Sequence, residues 1–215
     1  MNYDSEGWIA VPQLMKLPAL RLKYLDILTY TTIRSYMNSE DGTAFPSYET
    51  VAKVSGLGRT FVIQSVKRLK KAGLITVTTK KQATDMNFPN VYTFRVHGRY
   101  ERIPTSFFKA EELDPTEKAM LLCLRQFFIH GGLTTIYSIN RMSEMLGLTY
   151  SKVYAQIKRL ITKGYMSSET KKSKYSKWSK KCYQFTKKID WIYGQRKARG
   201  DGGRTLDEFP RLTVS

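Results

Sequence analysis

The sequence predicts an α+β, mainly α fold made of two small domains in tandem, and three observations carry that reading. The first is the stretch Ser55–Lys71, SGLGRTFVIQSVKRLKK, where Val62, Val66 and Leu69 recur at i, i+4 and i+7 and so share one helical face. The second is its flanks. Tyr48–Val54 reads as a shorter helix with Val51 and Ala52 inward, Gly56 and Gly58 mark a tight turn, and after Ala72-Gly73 the β-branched run Leu74–Thr79 reads as a strand. The third is an internal repeat. At a constant offset of 91 residues, Gly56-Leu57 falls on Gly147-Leu148, Lys67-Arg68-Leu69 on Lys158-Arg159-Leu160, and Gly73 on Gly164. The same offset pairs Leu22 with Leu113, Ser47 with Ser138, Val62 with Val153, Tyr92 with Tyr183 and Phe94 with Phe185. Helix, tight turn, helix and strand form a helix-turn-helix with a wing, so the expectation is two tandem winged helix-turn-helix domains related by internal duplication.

The 215 residues accommodate two such domains, each with its own core: 1–98 and 99–193, followed by a flexible basic tail at 194–215. Trp8–Pro12 opens the first domain as a short extended piece, and at an offset of 92 Val11-Pro12 falls on Ile103-Pro104. Leu22–Met37 reads as its first helix, with Leu22, Leu25, Leu28 and Tyr36 inward, and Asn38–Ala44 reads as a loop. Ser47 is a candidate N-cap for the helix-turn-helix. The wing returns through Val91–Val96, with Val91, Thr93 and Arg95 on one face and Tyr92, Phe94 and Val96 on the other.

His97-Gly98-Arg99 is the expected junction, short enough to hold the two domains close. In the second domain Asp114-Pro115-Thr116-Glu117 reads as a helix start. Capping and the helix dipole account for the acids Glu111, Glu112, Asp114 and Glu117 without a catalytic role. Leu121, Leu122, Leu124, Phe127 and Phe128 make the following helix the most apolar in the chain, with surface to spare for the other domain. The second helix-turn-helix runs from about Ser138 to Lys163, with Met142, Met145, Val153, Ile157 and Leu160 inward. Ile189–Tyr193 reads as a closing packed segment.

Charge points to the partner. The formal net charge is +18, which calls for a polyanion, and no apolar run approaches the roughly 18 residues of a membrane span. The acidic start MNYDSEGW is unlike a signal peptide, and Cys123 and Cys182 have no metal-ligand spacing, so a reduced, cytoplasmic protein is expected. On the first reading helix Arg59, Thr60, Phe61, Gln64, Lys67 and Arg68 are candidate DNA contacts, joined by Lys80 and Lys81 of the wing. On the second, the candidates are Tyr150, Ser151, Lys152, Tyr154, Lys158 and Arg159. Between Thr170 and Lys188 lie eight lysines and no acid, interleaved with aromatics. Lys171, Lys172, Lys174, Lys177, Trp178, Lys180 and Lys181 are the candidate phosphate and stacking contacts there. With only His97 and His130, no paired metal or nuclease spacing and no phosphate loop, the chain reads as non-enzymatic, without metal or cofactor.

The run FPSYETVAKVSGLGRTFVIQSVKRLKKAGLITV, preceded by W-I-x-V-P and a helix, resembles the winged helix-turn-helix of phage and plasmid replication proteins. Tandem winged helices also resemble the plasmid replication initiators, which implies origin binding on double-stranded DNA, with a host helicase or its loader as protein partner and a homodimer on DNA as an assembly. Phe61 and Ile63 depart from that pattern, which more often has small or polar residues there. Two other roles use the same features: transcriptional regulation or centromere-binding segregation, and a protein-interaction module that recruits a helicase.

Overall fold

Apolar helices at the centre of each half set the architecture, and the chain alternates short extended pieces with helices around them. The computed structural model describes residues 7–14, 16–78, 90–95, 99–128, 137–172 and 179–191. The first half runs β1 (Trp8–Pro12), a 3-10 turn (Leu17–Leu20), α1 (Asp26–Arg34), β2 (Thr43–Ala44), α2 (Tyr48–Ser55), α3 (Arg59–Lys71), β3 (Ile75–Thr78) and β4 (Val91–Phe94). The second runs β5 (Tyr100–Pro104), a 3-10 turn (Thr105–Lys109), α4 (Pro115–Arg125), α5 (Ile139–Leu146), α6 (Tyr150–Thr162), β6 (Met166–Lys172) and β7 (Ser179–Phe185). The order helix, turn, helix, antiparallel hairpin therefore occurs twice.

Local chemistry starts both pairs alike. The Ser47 hydroxyl accepts from the Thr50 amide at 3.0 Å and caps α2, and the Ser138 hydroxyl accepts from the Arg141 amide at 3.3 Å and caps α5. Each first helix stops at a left-handed glycine, Gly56 at φ 72° and Gly147 at φ 65°, which frees the chain to turn into the second helix. At α4, Asp114 accepts from the amides of Thr116 and Glu117, while Glu117 accepts from the Asp114 amide, so the box read from the sequence is complete.

Two expectations about elements change. Leu22–Leu25 is not helical. The Asp26 carboxylate accepts from the Lys23 amide at 2.8 Å, so α1 begins at Asp26, and it ends at Arg34. Thr43 and Ala44, read as loop, form β2 against β4, because β4 has a free edge beyond β3; the sheet order is β2-β4-β3.

Separate cores were expected, yet the buried side chains form one continuous cluster through both halves. α4 packs against α1, and the Cys123 thiol in α4 donates to the Tyr24 carbonyl oxygen at 3.7 Å. β1 pairs antiparallel with β5, from Trp8 opposite Pro104 to Pro12 opposite Tyr100. Given the offset of 92, Trp8 corresponds to Tyr100 and Pro12 to Pro104, so this register is unchanged when the halves are exchanged. Ala10 and Arg102, themselves equivalent, lie opposite each other at its centre. Beside the ribbon, Gln13 Nε2 donates to Glu101 at 2.6 Å, the Leu14 amide donates to Gln126 at 2.5 Å, and Arg125 lies 3.3 Å from Glu101. Burial of this cluster explains why both halves are held as one body: few of its polar groups reach water.

Candidate nucleic-acid interface

On α3 the inward stripe is Val62, Ser65, Val66 and Leu69, all buried. The opposite stripe is Thr60, Gln64, Lys67 and Lys71, all exposed, and α3 contains no acid. An acid-free, hydrogen-bonding and cationic stripe on a helix that follows a tight turn suits a major groove, where phosphates flank the base edges. Arg59 stands at the helix start with its Nε donating to Glu49 Oε1, and both side chains are more than half exposed. The Arg59 hydrogen bond holds the Glu49 carboxyl below its usual range. A surface pair of this kind adds little stability, so a DNA phosphate can displace it.

Arg68 is elsewhere. Its Nε donates to Asp26 Oδ2 at 2.8 Å and its Nη2 to Asp26 Oδ1 at 2.7 Å. Asp26 is completely buried in α1, so this bidentate pair ties α3 to α1 and withdraws the guanidinium from the outer stripe. Arg68 is corrected from a DNA contact to a structural residue. Phe61 goes with it: half-buried, its ring lies under the Arg68 guanidinium at 5.2 Å. Ile63 is half-buried as well.

α6 repeats the geometry with other side chains. Val153, Gln156, Ile157 and Leu160 face inward, and Ser151, Tyr154 and Lys158 are exposed. Tyr150 and Tyr154 are 49% and 39% exposed, and their rings stack at 6.0 Å with 12° between planes. They lie close enough to Tyr183 of β7 to help burial raise the Tyr183 hydroxyl's pKa. The face of α6 thus continues onto the hairpin. Lys152 is exposed as well, with its amine 5.1 Å from the centre of the Tyr24 ring in the first half. Arg159 lies 3.7 Å from Asp114, with both side chains well exposed.

In the hairpin Lys171 stands opposite Lys180 and Thr170 opposite Lys181, and the exposed Lys181 amine sits 5.9 Å from the Tyr183 ring. Lys172, opposite Ser179, ends β6. Lys80, Lys81, Lys174, Lys177 and Trp178 lie outside the described residues, as do the tail at 194–215 and His97-Gly98 of the junction. Two exposed residues beside the first helix pair escaped the sequence reading of the site. Phe45, 49% exposed, precedes the α2 cap, and Arg95 follows β4. The alternation of β4 already put Arg95 on one face with Val91 and Thr93; nothing in the pattern distinguished Phe45 from a core residue.

Among the described residues no three His, Cys, Asp or Glu side chains are placed to hold a metal ion, and no helix is long and apolar enough to cross a membrane. A family model described as a helix-turn-helix domain matches residues 20–75, which runs from the end of the first 3-10 turn to the start of β3. Residues 20–75 therefore form a helix-turn-helix domain, which suggests a DNA partner. No curated protein matches the chain.

Proposed function

We propose that this protein binds double-stranded DNA sequence-specifically and acts by binding alone, without catalysis. In this reading the two helix-turn-helix units are duplicated winged helices that read one composite site, and the process served is origin binding in phage or plasmid replication. The observation that carries it is the acid-free exposed stripe Thr60, Gln64 and Lys67 on α3, whose positions at the offset of 91 carry Ser151, Ala155 and Lys158 on α6, also exposed, with the exposed Tyr154 beside them. The net charge of +18 supplies the phosphate attraction. The replication role rests on the resemblance of residues 8–96 to replication proteins. A helicase or its loader is the protein partner that goes with that role.

In this reading the halves are related by an approximate two-fold axis, which the exchange-symmetric register of β1 and β5 supports. The two half-sites accordingly run in opposite directions along the duplex, while the unlike side chains of α3 and α6 give them different bases. One chain fills one such site.

The test is a binding-site selection followed by titrations on the selected duplex and on random duplex at several salt concentrations. Gln64→Ala is expected to reduce discrimination by about 1–3 kcal/mol, as loss of a base-edge pair does. Lys158→Ala is expected to weaken both duplexes equally and to lower the salt slope by about one. A wild-type affinity nearly independent of salt, or a Gln64→Ala loss equal on both duplexes, overturns the reading. Mapping the selected site on the native replicon to repeats at an origin supports the replication role; a promoter or a partition locus replaces it.

A further inference from the structure

A cavity of about 450 Å3 opens where the C-terminal end of α2 meets the segment joining the second 3-10 turn to α4. That is within the size range of small-molecule sites. Its apolar wall is Val54 from the first half and Phe108 and Leu113 from the second. Its polar lining is three lysines, Lys53, Lys109 and Lys118, against one acid, Glu111. Lys118 is the unusual member. The residue as a whole is only 9% exposed because its stem is buried, and its amine reaches the open side of the cavity without a hydrogen bond or ion pair to any described residue. Glu111 and Glu112 are the nearest negative charges, and burial holds the Lys118 pKa below its ordinary value. Where packing alone decides, a fold fills such a place with an apolar residue.

The other half does so. At the offset of 91, Ile27, 1% exposed, stands in the place of Lys118, and Glu144 in the place of Lys53. There the 3-10 turn closes the gap: Pro18 packs so tightly on Gly147 that a Cβ on that glycine would lie 2.7 Å from Pro18 Cγ. At the equivalent Gly56, Pro115 makes the close approach instead, and the space beside it stays open. Packing alone is satisfied by an isoleucine and a proline; the lysine-lined cavity is a departure from that solution.

We propose that this cavity binds a small organic phosphate of mononucleotide size. The phosphate pairs with Lys118, with Lys53 and Lys109 at the opening, and the ring portion lies against Phe108, Val54 and Leu113. Because the walls come from both halves, the occupied cavity braces α2 against α4.

Adenosine 5′-monophosphate is the probe, titrated into the full chain at near-physiological salt by calorimetry and by amide-resolved NMR, with inorganic phosphate alone as a second titrant. Saturable binding is expected, with shifts centred on Val54, Phe108 and Leu113 and with phosphate alone binding more weakly than the nucleotide. Lys118→Met is expected to weaken the nucleotide by about tenfold or more, Lys118→Arg by less, and neither to change affinity for the selected duplex. Three results each overturn the proposal: no saturable binding at millimolar nucleotide, shifts confined to α3, α6 or the lysine hairpin, or a Lys118→Met protein that binds as well as wild type.

Discussion

Asp26 is a carboxylate with no exposure, and three donors account for its burial: the Lys23 amide at 2.8 Å and the two Arg68 nitrogens at 2.8 and 2.7 Å. Glu117, the residue 91 positions on, does the same work in the second half, accepting from the Asp114 amide at 2.9 Å and from Lys163 Nζ at 2.6 Å. Both acids fasten the second helix of a helix-turn-helix to the central helix of its half. Asp26→Asn leaves a guanidinium without its counter-charge and is expected to cost about 3 kcal/mol in urea unfolding. Arg68→Ala is expected to lower stability as well, whereas Lys67→Ala lowers DNA affinity and leaves the unfolding midpoint in place. An Arg68→Ala protein of normal stability and reduced salt slope would return Arg68 to the DNA face. Tyr92 gives a pH dependence. Burial pushes its hydroxyl up to about 12 from 10.0, against a smaller opposing effect of the Asn90 hydrogen bond. The folded state therefore holds its proton more tightly than the unfolded one. That stability is full below pH 10 and is lost as the pH rises from 10 towards about 12. Tyr92→Phe is expected to flatten this alkaline loss in thermal melts taken across that window.

Among elements, the two turns do the most to place the reading helices. Gly56 and Gly147 end α2 and α5 in the left-handed region, and each is also pressed by a proline of the other half, Pro115 and Pro18 respectively. These glycines are therefore needed twice, for φ and for space. Gly164 has φ 76° but nothing within 4 Å of where its Cβ would lie. Gly164→Ala is expected to cost roughly 1–2 kcal/mol, the left-handed penalty alone. Gly147→Ala carries that penalty plus the contact with Pro18, so its loss exceeds that of Gly164→Ala. Restoring part of the difference in a Gly147→Ala, Pro18→Ala double variant checks the cause; equal losses for the two glycines, measured by chemical denaturation, remove it.

At the scale of the whole molecule, the shared cluster and the β1–β5 ribbon make the distance between α3 and α6 a property of the fold rather than of a tether. In the proposed composite site, binding of the second helix would be intramolecular once the first is seated, so affinity would depend on the rotational phase of the half-sites. Insertion of about 5 base pairs, half a turn of the duplex, between the selected half-sites is expected to abolish cooperative binding in a footprinting titration, because one half-site moves to the opposite side. A full-turn insertion separates the half-sites in distance and is also expected to weaken the complex. Binding indifferent to both insertions points to two independently mobile units or to one domain per half-site in a dimer.

Short-range periodicity and capping determined much by themselves. Val62, Val66 and Leu69, Ser47 and Ser138, the Asp114–Glu117 box and the basic outer stripes were all legible, because helices and their caps are specified within a few residues. The offset of 91 announced that the elements recur. The partner of Arg68 was not legible: Asp26 lies 42 residues away, and on a helical wheel a paired arginine looks like a free one. Nor was β2, two residues whose only reason to be extended is the edge of a strand far along the chain. The excess apolar surface of α4 hinted at contact between the halves, but which strand would cross from one to the other was settled only by packing. β1 and β5 each have an edge to satisfy and an apolar face to bury, and the exchange-symmetric register lets each supply the other. Lys118 marks the same limit. In sequence it is one more cation among 36, and only the meeting of α2 with α4 places it in the lining of a cavity.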